Sequence, residues 1–213
     1  MMRQPSGRSR EAYENDGLIL AAAREVFVAN PSAPIADVAH LAGVGMGALY
    51  RRYESKEVLL ATLCAEGQRV YIACAEAALA SKTPPWDAYV SFLREIVAKD
   101  THALSSRLAG TFGPTEIHAH LGARLQQVAE ELVSRVQASG AMRRDVTLLD
   151  IGFLLEALAQ VQLGDASRTA ELRQRLLTLI IDSLRPGRTE LPGKPPTWAE
   201  QNMRWLPPHA GSQ

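Results

Sequence analysis

The chain has 213 residues, enough for one large or two small domains with a sizeable core. Lysine plus arginine equals aspartate plus glutamate, 23 of each, so no overall positive field indicates a nucleic-acid partner, and any such role depends on local placement of charge. No apolar run reaches the roughly 20 residues that span a bilayer, and the N-terminus lacks the apolar core of a signal peptide, so we expect a cytoplasmic protein without a membrane partner.

The first predicted element is a flexible arm over residues 1–14, which are polar and show no periodicity. Two roles are possible for this segment: a solvated tail, or an arm that inserts into a DNA minor groove. From Asn15 onward apolar residues recur at helical spacing, until the Asn-Pro pair at 30–31 ends the helix. A second helix is predicted from Pro34 to Gly43, because glycine readily adopts positive φ at a helix end.

A tight turn and a short third helix follow, in the run GVGMGALYRRY. Two short helices joined by such a turn form a helix-turn-helix, whose second helix enters the major groove of DNA. We expect this second helix from about Gly45 to Tyr53, with Leu49 and Tyr53 facing inward. Its two glycines cost roughly 1 kcal/mol each in helix propensity, which indicates close approach of the backbone to a partner surface.

The next helix is expected to begin with Ser55 as its N-cap and to run through residues 56–80. Its free N–H groups, its positive dipole end and Lys56 together form an anion site. Tyr50 and Lys56 are predicted to contact phosphates, which position a protein without reading sequence. The complete set of predicted DNA contacts is Gly45, Met46, Gly47, Ala48, Tyr50, Arg51, Arg52 and Lys56.

The rest of the chain is also predicted to be helical, and no segment shows strand alternation, so the fold class is all-α with about nine helices. The predicted helices begin at the Pro84-Pro85 pair and then lie near 101–111, 115–138, 147–164 and 169–185. From Pro186 the composition shifts to proline, glycine and polar residues. Within this tail Thr197 and Glu200 form a capping box, which predicts a short helix docked by its tryptophans.

Cys64 and Cys74 lie ten residues apart on one predicted helix, or about 15 Å along its axis. This separation is too large for a disulfide. We interpret both as small buried residues, with a thiol sensor as the alternative.

The run IADVAHLAGVGMGALYRRYESKEVLL, residues 35–60, resembles the DNA-binding domain of the tetracycline-repressor (TetR) family of bacterial regulators. The matching residues are Asp37, Val38, Ala39, Ala42, Gly43, Val44, Gly47, Leu49, Tyr50, Tyr53, Ser55, Lys56 and Glu57. The resemblance implies phosphate contacts by Tyr50 and Lys56 and base contacts by the start of the recognition helix. Here Gly45, Met46 and Ala48 replace the usual serine, lysine and threonine, so we expect apolar and shape readout.

The resemblance implies a helix-turn-helix domain over residues 15–60, a helical ligand-binding and dimerisation domain over 61–185 and a tail over 186–213. In that family the last two body helices form a four-helix dimer interface, and two recognition helices about 34 Å apart read a palindromic operator on double-stranded DNA. The expected dimer contacts are Phe153, Leu172, Leu176, Ile180 and Leu184.

The middle helices are expected, by the same resemblance, to enclose a cavity for an unknown small-molecule effector. An aromatic stripe at helical spacing is equally typical of plain core. The candidate lining residues are Trp86, Tyr89, Phe92, Leu93, Arg107, Phe112, His118, Leu121, Arg124, Leu125, Phe153 and Gln160.

The sequence contains no glycine-rich phosphate loop, nucleophile elbow or paired carboxylates, so we expect no enzyme and no cofactor. His118 and His120 point to opposite sides of a helix, which leaves a metal sensor built from His102 and His118 as one alternative. A small-molecule or lipid carrier with weak DNA binding is another, because side-chain donors are missing from the recognition helix. The sequence favours a cytoplasmic, homodimeric, ligand-responsive repressor.

Overall fold

The computed structural model describes residues 7–101, 108, 111–113, 115–187 and 189–203, with side chains from residue 15 onward. These ranges contain nine α-helices and no strand, in agreement with the predicted all-α class. The helices are α1 (Gly7–Ala29), α2 (Ile35–Ala42), α3 (Met46–Arg52), α4 (Lys56–Ala80), α5 (Pro85–Ala98), α6 (Glu116–Ala138), α7 (Leu148–Ala159), α8 (Ala166–Ser183) and α9 (Trp198–Met203).

Helix α1 begins at Gly7 and not at Asn15, so residues 7–14 are helical and the predicted flexible arm is wrong for them. This segment contains arginine, glutamate and alanine, which favour a helix. The predicted start at Asn15 was based on the apolar stripe of α1, and the first turns of a helix do not need such a stripe. Residues 1–6 of the predicted arm lie outside the described residues.

Local capping chemistry places the next boundaries where the sequence predicts them. Gly43 ends α2 in the left-handed conformation, with φ 67°. The Ser55 side chain accepts a hydrogen bond from the Val58 amide at 3.2 Å and so caps α4, whose bounds agree with the prediction. Helix α5 begins at Pro85, where a missing N–H costs nothing.

Helix α7 ends at Ala159, five residues earlier than predicted. The Arg173 guanidinium, from α8, donates to the carbonyls of Ala159 at 2.7 Å and Val161 at 3.0 Å. A cation thus satisfies carbonyl groups at the helix end that a longer helix would have used itself. Helix α8 begins three residues earlier than predicted, because Asp165 caps it. The short helix predicted near 101–111 lies largely outside the described residues.

Two hydrophobic clusters form the interior, and α4 belongs to both. The first turns of α4 pack with α1, α2 and α3 through residues such as Leu59 and Leu63, and its second half packs with α5 to α8 through residues such as Ile72 and Ala75. Helix α4 is long and apolar enough to cross a membrane by length and composition, but 56% of that window is buried inside the fold. It is therefore the central core helix.

Cys64 and Cys74 on α4 are 2% and 4% exposed. Neither is part of a disulfide, and burial is the main cause that raises the pKa of the Cys74 thiol. The prediction of two small buried residues is confirmed. A raised pKa disfavours the thiolate that a sensor needs.

Candidate functional site

The helix-turn-helix is built by α2 and α3 around Gly43. The amides of Gly43 and Val44 donate to carbonyls of the last turn of α2, at 3.2 Å to His40 and 3.0 Å to Ala39. A side chain at position 43 would be strained at positive φ, so glycine is needed here for the turn itself. This turn sets the angle between α2 and α3.

The inward face of α3 consists of the two predicted residues. Leu49 is fully buried and Tyr53, its C-cap, is 1% exposed, both in the cluster with α1 and α2. The opposite face is open: Met46 is 38% and Tyr50 47% exposed, and Arg51 is exposed beside them. The fold thus presents the start and one flank of the predicted recognition helix outward.

The glycines of α3 are not required by the fold of this chain. A Cβ atom added at Gly45 would meet nothing within 4 Å, and one at Gly47 would meet only the tip of Arg51, at 3.8 Å. Neither residue has positive φ. An internal glycine costs a helix about 1 kcal/mol relative to alanine, and no contact inside the described part of the chain requires glycine at position 47. Ala48, the residue after Gly47, is half-buried.

Arg52, expected to contact DNA, is held by α1. Its guanidinium donates from Nε and Nη2 to the two carboxylate oxygens of Asp16, at 2.9 and 2.8 Å, and the Tyr53 hydroxyl donates to the same carboxylate. Partial burial disfavours ionisation of Asp16, but the hydrogen bonds from Arg52 and Tyr53 outweigh it, so its pKa lies below the ordinary value. Burial and then the hydrogen bond to Asp16 raise the pKa of the Tyr53 hydroxyl. This hydroxyl therefore keeps its proton and donates a hydrogen bond to the Asp16 carboxylate.

Asp16 is not among the predicted site residues, although the sequence contains a signal for it. Asp16 precedes Ile19 by three residues and Ala23 by seven, so it lies on the apolar stripe of α1. A carboxylate on a buried stripe requires a partner. The partner, 36 residues away, is the basic end of the recognition helix.

Lys56 sits at the N-terminus of α4, as predicted, and also makes contacts inside the chain. Its ammonium donates to the Ala33 carbonyl at 2.7 Å and lies 5.0 Å above the centre of the Phe27 ring. An ammonium has three donors, so this hydrogen bond leaves two for a phosphate. The contacts to the α1–α2 corner fix where that charge is presented.

A cavity of about 150 Å³ lies in the helical body between α4, α6, α7 and the C-terminal helix α9. Among the residues predicted to bind an effector, Leu125 lines it. The described lining residues are Gly67, Gln68, Tyr71, Thr101, Leu125, Ala129, Leu148, Leu149, Gly152, Glu156, Trp198 and Gln201.

The aromatic stripe predicted to line the cavity is plain core. Trp86, Tyr89, Phe92 and Leu93 are 1–7% exposed and pack inside the body cluster, because the stripe of α5 faces α4 and α8. None of the four is among the lining residues of the cavity.

The polar candidates are engaged elsewhere. Arg124 forms an ion pair with Glu76 at 2.6 Å on the surface. His118 donates from Nε2 to the Ala61 carbonyl at 2.9 Å, and its Nδ1 lies 2.6 Å from the Thr115 hydroxyl. Gln160 is exposed just beyond α7. These positions turn away from the cavity, so their prediction as lining residues is not supported by the geometry.

The remaining candidates are placed as follows. Phe112 packs with the helix-turn-helix cluster and against the His118 ring, 5.1 Å between centres. Leu121 is half-buried against the body cluster. Phe153 is half-buried and lines a separate groove with Leu191. Arg107, together with His102 of the metal-sensor alternative, lies outside the described residues.

The residues that sequence reasoning missed are the polar ones on the cavity wall, above all Gln68. Its Oε1 atom is buried and has no hydrogen-bond partner within the part of the chain that the structure describes. Two small residues, Gly67 on α4 and Gly152 on α7, also lie at the wall. A glutamine beside a glycine in the middle of an apolar core helix was the available signal, since buried polar groups normally find partners.

The face predicted for dimerisation is partly open. On α8, Leu172, Leu176 and Ile180 are half-buried, and their neighbour Leu179 is 62% exposed. Leu184 is 2% exposed and packs inside its own chain, so it offers a partner almost no surface and its prediction as a dimer contact is corrected. Leu184 follows the helix end, where the chain turns back to the core.

Three consecutive residues, Lys99, Asp100 and Thr101, connect these parts, and we call them the junction. The Lys99 carbonyl accepts a hydrogen bond from Arg24 of α1 at 3.2 Å. Asp100, with φ 52°, pairs with Arg173 of α8 at 3.0 Å. Thr101 lines the cavity. The junction therefore touches the helix-turn-helix domain, the predicted dimer helix and the cavity.

The sequence and the fold both match known regulators. The sequence profile of the bacterial regulatory proteins of the tetR family matches residues 19–63, and that of the C-terminal domain of SbtR-like transcriptional regulators matches residues 84–186. No curated protein matches the chain.

Among solved structures, a TetR transcriptional regulator from Streptomyces coelicolor is 25% identical, with a TM-score of 0.58 over 81% of this chain and 98% of that one. The TetR regulator from Mycobacterium vanbaalenii is also 25% identical, with a TM-score of 0.57 over 83% and 98% of the two chains. The regulator LfrR from Mycobacterium smegmatis, in complex with proflavine, shares the fold at 21% identity and a TM-score of 0.53, over 78% and 95%. With its helix-turn-helix and its helical body, the chain belongs to the TetR family of transcriptional regulators.

Proposed function

We propose that this protein is a cytoplasmic repressor that binds a palindromic operator as a homodimer and is released by a small molecule, with no catalytic step. The observation that carries the proposal is the position of α4. Lys56 in its first turn belongs to the DNA-facing domain, and Gln68 and Tyr71 on the same helix line the cavity. Lys56 and Gln68 are 12 residues apart, or about 18 Å along one rigid element.

Ligand binding acts on DNA binding through a shift of this helix. A molecule that fits the cavity only after α4 has moved would also displace Lys56, at the start of α4. Helix α3, which packs beside the start of α4, would shift with it. The ligand can shift the equilibrium only by its difference in affinity for the two positions, and a coupling of about 1 to 3 kcal/mol is typical. A small-molecule effector is in line with the structure of LfrR, which shares this fold and was solved in complex with proflavine.

On the DNA side, Gly45 and Gly47 bring the backbone of α3 close to the major groove, and Met46 and Ala48 contact base edges through apolar atoms such as thymine methyl groups. Tyr50 and Lys56 hold phosphates. Arg51 supplies a contact to guanine or to the backbone, and Arg52, paired with Asp16, orients the helix. Exposure of Met46 and Tyr50 supports these roles.

The dimer uses the open apolar face of α7 and α8. Leu154 on α7 is 39% exposed and Leu179 on α8 62%, and half-buried apolar residues flank them. One short recognition helix reads few base pairs, so a second copy about 34 Å away is needed for a specific site.

Selection of bound duplexes from a random pool tests the proposal directly. We expect a palindrome whose half-sites are one helical turn apart, and a steep loss of affinity with salt. Met46→Ala should change the preference at one or two base pairs, with Leu163→Ala, exposed in the α7–α8 loop, as the control.

A carrier of small molecules with weak DNA binding is the second candidate, favoured by the missing side-chain donors at Gly45, Met46 and Ala48. Equal, weak binding to every duplex and no enriched palindrome would support the carrier and contradict the repressor. Recovery of a palindrome would exclude it.

A further inference from the structure

We propose that Arg24 and the junction hold the two recognition helices of a dimer at a fixed separation, and so set the spacing of the operator half-sites that the protein accepts. The inference rests on the proposed function in one respect, that two copies bind a two-part site. It goes beyond that function because it assigns a role in spacing specificity to residues outside the proposed DNA contacts.

A dimer distinguishes half-site spacings only if each helix-turn-helix domain is held at a fixed angle to its own helical body. One additional base pair moves a half-site by about 3.4 Å and turns it by about 34° around the DNA axis. A domain that rotated freely by such an amount would bind several spacings equally well. The contacts that resist this rotation therefore decide the spacing preference.

Two connections between the domain and the body leave some rotation possible. The first is α4, which runs through both parts, and long helices can bend. The second is the packing of Leu108 and Phe112 in the helix-turn-helix cluster. Apolar packing is non-directional, so it keeps the two parts close without fixing their angle. A hydrogen bond to a fixed acceptor is directional and restricts the angle.

A hydrogen bond of this kind joins α1 to the junction. The Arg24 guanidinium donates from Nη1 to the main-chain carbonyl of Lys99 at 3.2 Å, and a charged donor makes a stronger hydrogen bond than a neutral one. Burial lowers the pKa of Arg24, and attraction to Asp100 and then to Glu66 opposes this change. The Asp100 carboxylate thus attracts Arg24 as well as its ion-pair partner Arg173.

The acceptor of this hydrogen bond has a fixed orientation. The Lys99 carbonyl and the Asp100 amide belong to one planar peptide group. The amide donates to the Val97 carbonyl of α5 at 3.1 Å, while the carbonyl accepts from Arg24. Asp100 has φ 52°, a conformation that aspartate adopts more readily than most residues. Rotation of this peptide group would break both hydrogen bonds.

The junction is in turn anchored to the helices of the proposed dimer face. The Asp100 carboxylate accepts from Arg173 Nη1 at 3.0 Å, and the same guanidinium donates to the carbonyls of Ala159 and Val161. The side chains of Arg173 and Asp100 are 11% and 28% exposed, so solvent screens this pair less than a surface pair. A series of direct contacts therefore leads from α1 through the junction to α8 and the end of α7.

The first test measures binding of the full-length protein to duplexes that carry the selected half-sites at altered spacings, by fluorescence anisotropy. The wild type should prefer the selected spacing over a change of one base pair by at least about tenfold, because a wrong spacing lets only one of two linked domains engage. Arg24→Met removes the donor and keeps an unbranched apolar side chain. It should reduce this preference to about threefold or less, without changing the base preference within each half-site.

Two further variants complete this test. Asp100→Asn should also relax the spacing preference, because asparagine tolerates the same backbone conformation but carries no charge for Arg173. Arg168→Met is the matched control, since it removes an exposed guanidinium whose partner, Glu171, lies on the same helix α8. It should keep the wild-type preference. An equal relaxation in Arg168→Met would overturn the inference.

Arg24→Met decides the inference even if Asp100→Asn does not fold. A wild-type spacing preference in Arg24→Met would overturn it. An equal loss of affinity at every spacing would overturn it too, because that result indicates a phosphate contact by Arg24 and no effect on the separation.

The second test measures the separation without DNA, by pulsed electron paramagnetic resonance. A spin label at Leu41→Cys, an exposed position of α2, reports the distance between the two helix-turn-helix domains of a dimer. The native Cys64 and Cys74 are buried and so are poor sites for the label. We expect one narrow distance distribution, which Arg24→Met broadens. Identical distributions with and without Arg24→Met would overturn the inference.

Together the two tests separate this inference from the proposed function. If the wild type selects a palindrome and Arg24→Met keeps the same spacing preference, the repressor stands and the inference is wrong. If no palindrome is selected but the label distance is narrow and broadens in Arg24→Met, the fixed separation stands and the repressor function is wrong. A failure of both results would contradict both.

Discussion

Replacement of Asp16 by alanine should destabilise the protein through a hydroxyl that lies 37 positions away in the chain. The Asp16 carboxylate accepts hydrogen bonds from Arg52 and from Tyr53, and Tyr53 is 1% exposed. Without the carboxylate the buried Tyr53 hydroxyl loses its acceptor. A buried donor left without a partner costs about 1 to 3 kcal/mol.

The ion pair adds less to this cost. The Arg52 side chain is 56% exposed, so solvent screens its attraction to Asp16, and such pairs contribute about 0 to 1 kcal/mol. The two effects together predict a loss of about 2 kcal/mol for Asp16→Ala. For a chain of this size that corresponds to a fall in Tm of about 4 to 8 °C.

Urea unfolding followed by far-UV circular dichroism measures the change. Tyr53→Phe is the matched control, because it removes the hydroxyl and keeps the ring. In the Tyr53→Phe background, Asp16→Ala should cost only the ion pair, about 0 to 1 kcal/mol. A loss below about 0.5 kcal/mol in the wild-type background, or the same loss in both backgrounds, would refute the reasoning.

Single substitutions at exposed or charged positions should have separate effects on stability, DNA binding and assembly. Gly47→Ala should raise the free energy of unfolding by about 1 kcal/mol, since its Cβ meets only the tip of Arg51, yet weaken operator binding; unchanged affinity in a binding titration would contradict close approach to DNA. Tyr50→Phe should weaken binding to all duplexes by a similar factor, and a sequence-selective loss would argue for base contact. Leu179→Glu should convert the dimer to monomer in light scattering with little change in subunit stability; a retained dimer would exclude this face. The pKa of Asp16 is lower in the folded state, so its stabilisation is complete above its ordinary pKa of 3.8 and is lost as pH falls below it, measurable as a drop in Tm that Asp16→Ala lacks.

The helices that the sequence predicted well are those whose ends are decided locally. Gly43, Ser55 and Pro85 each carry the chemistry of a helix boundary in their own residue type, and the structure uses them so. The end of α7 depends instead on Arg173, 14 residues away from Ala159, so the residues near the helix end do not predict it.

The cavity was the hardest feature to predict, for a physical reason. Apolar periodicity identifies which residues turn inward, but not where inward-facing residues fail to fill the space between helices. Large residues of α5, such as Phe92, fill the space between α5 and its neighbouring helices. The cavity lies instead beside Gly67 and Gly152. An aromatic stripe therefore indicates core, whereas a polar side chain next to small residues, as at Gln68, indicates a cavity.

The junction of Lys99, Asp100 and Thr101 has a consequence for genetics. Each residue touches a different functional part of the protein, and Asp100 holds a backbone conformation that β-branched residues adopt poorly. Substitutions at Lys99 or Asp100, which do not line the cavity, would leave the DNA-facing and ligand-facing surfaces intact and alter the communication between them. A screen for regulators that no longer respond to their inducer, yet still occupy the operator, should thus recover mutations in these three codons as well as in the cavity wall.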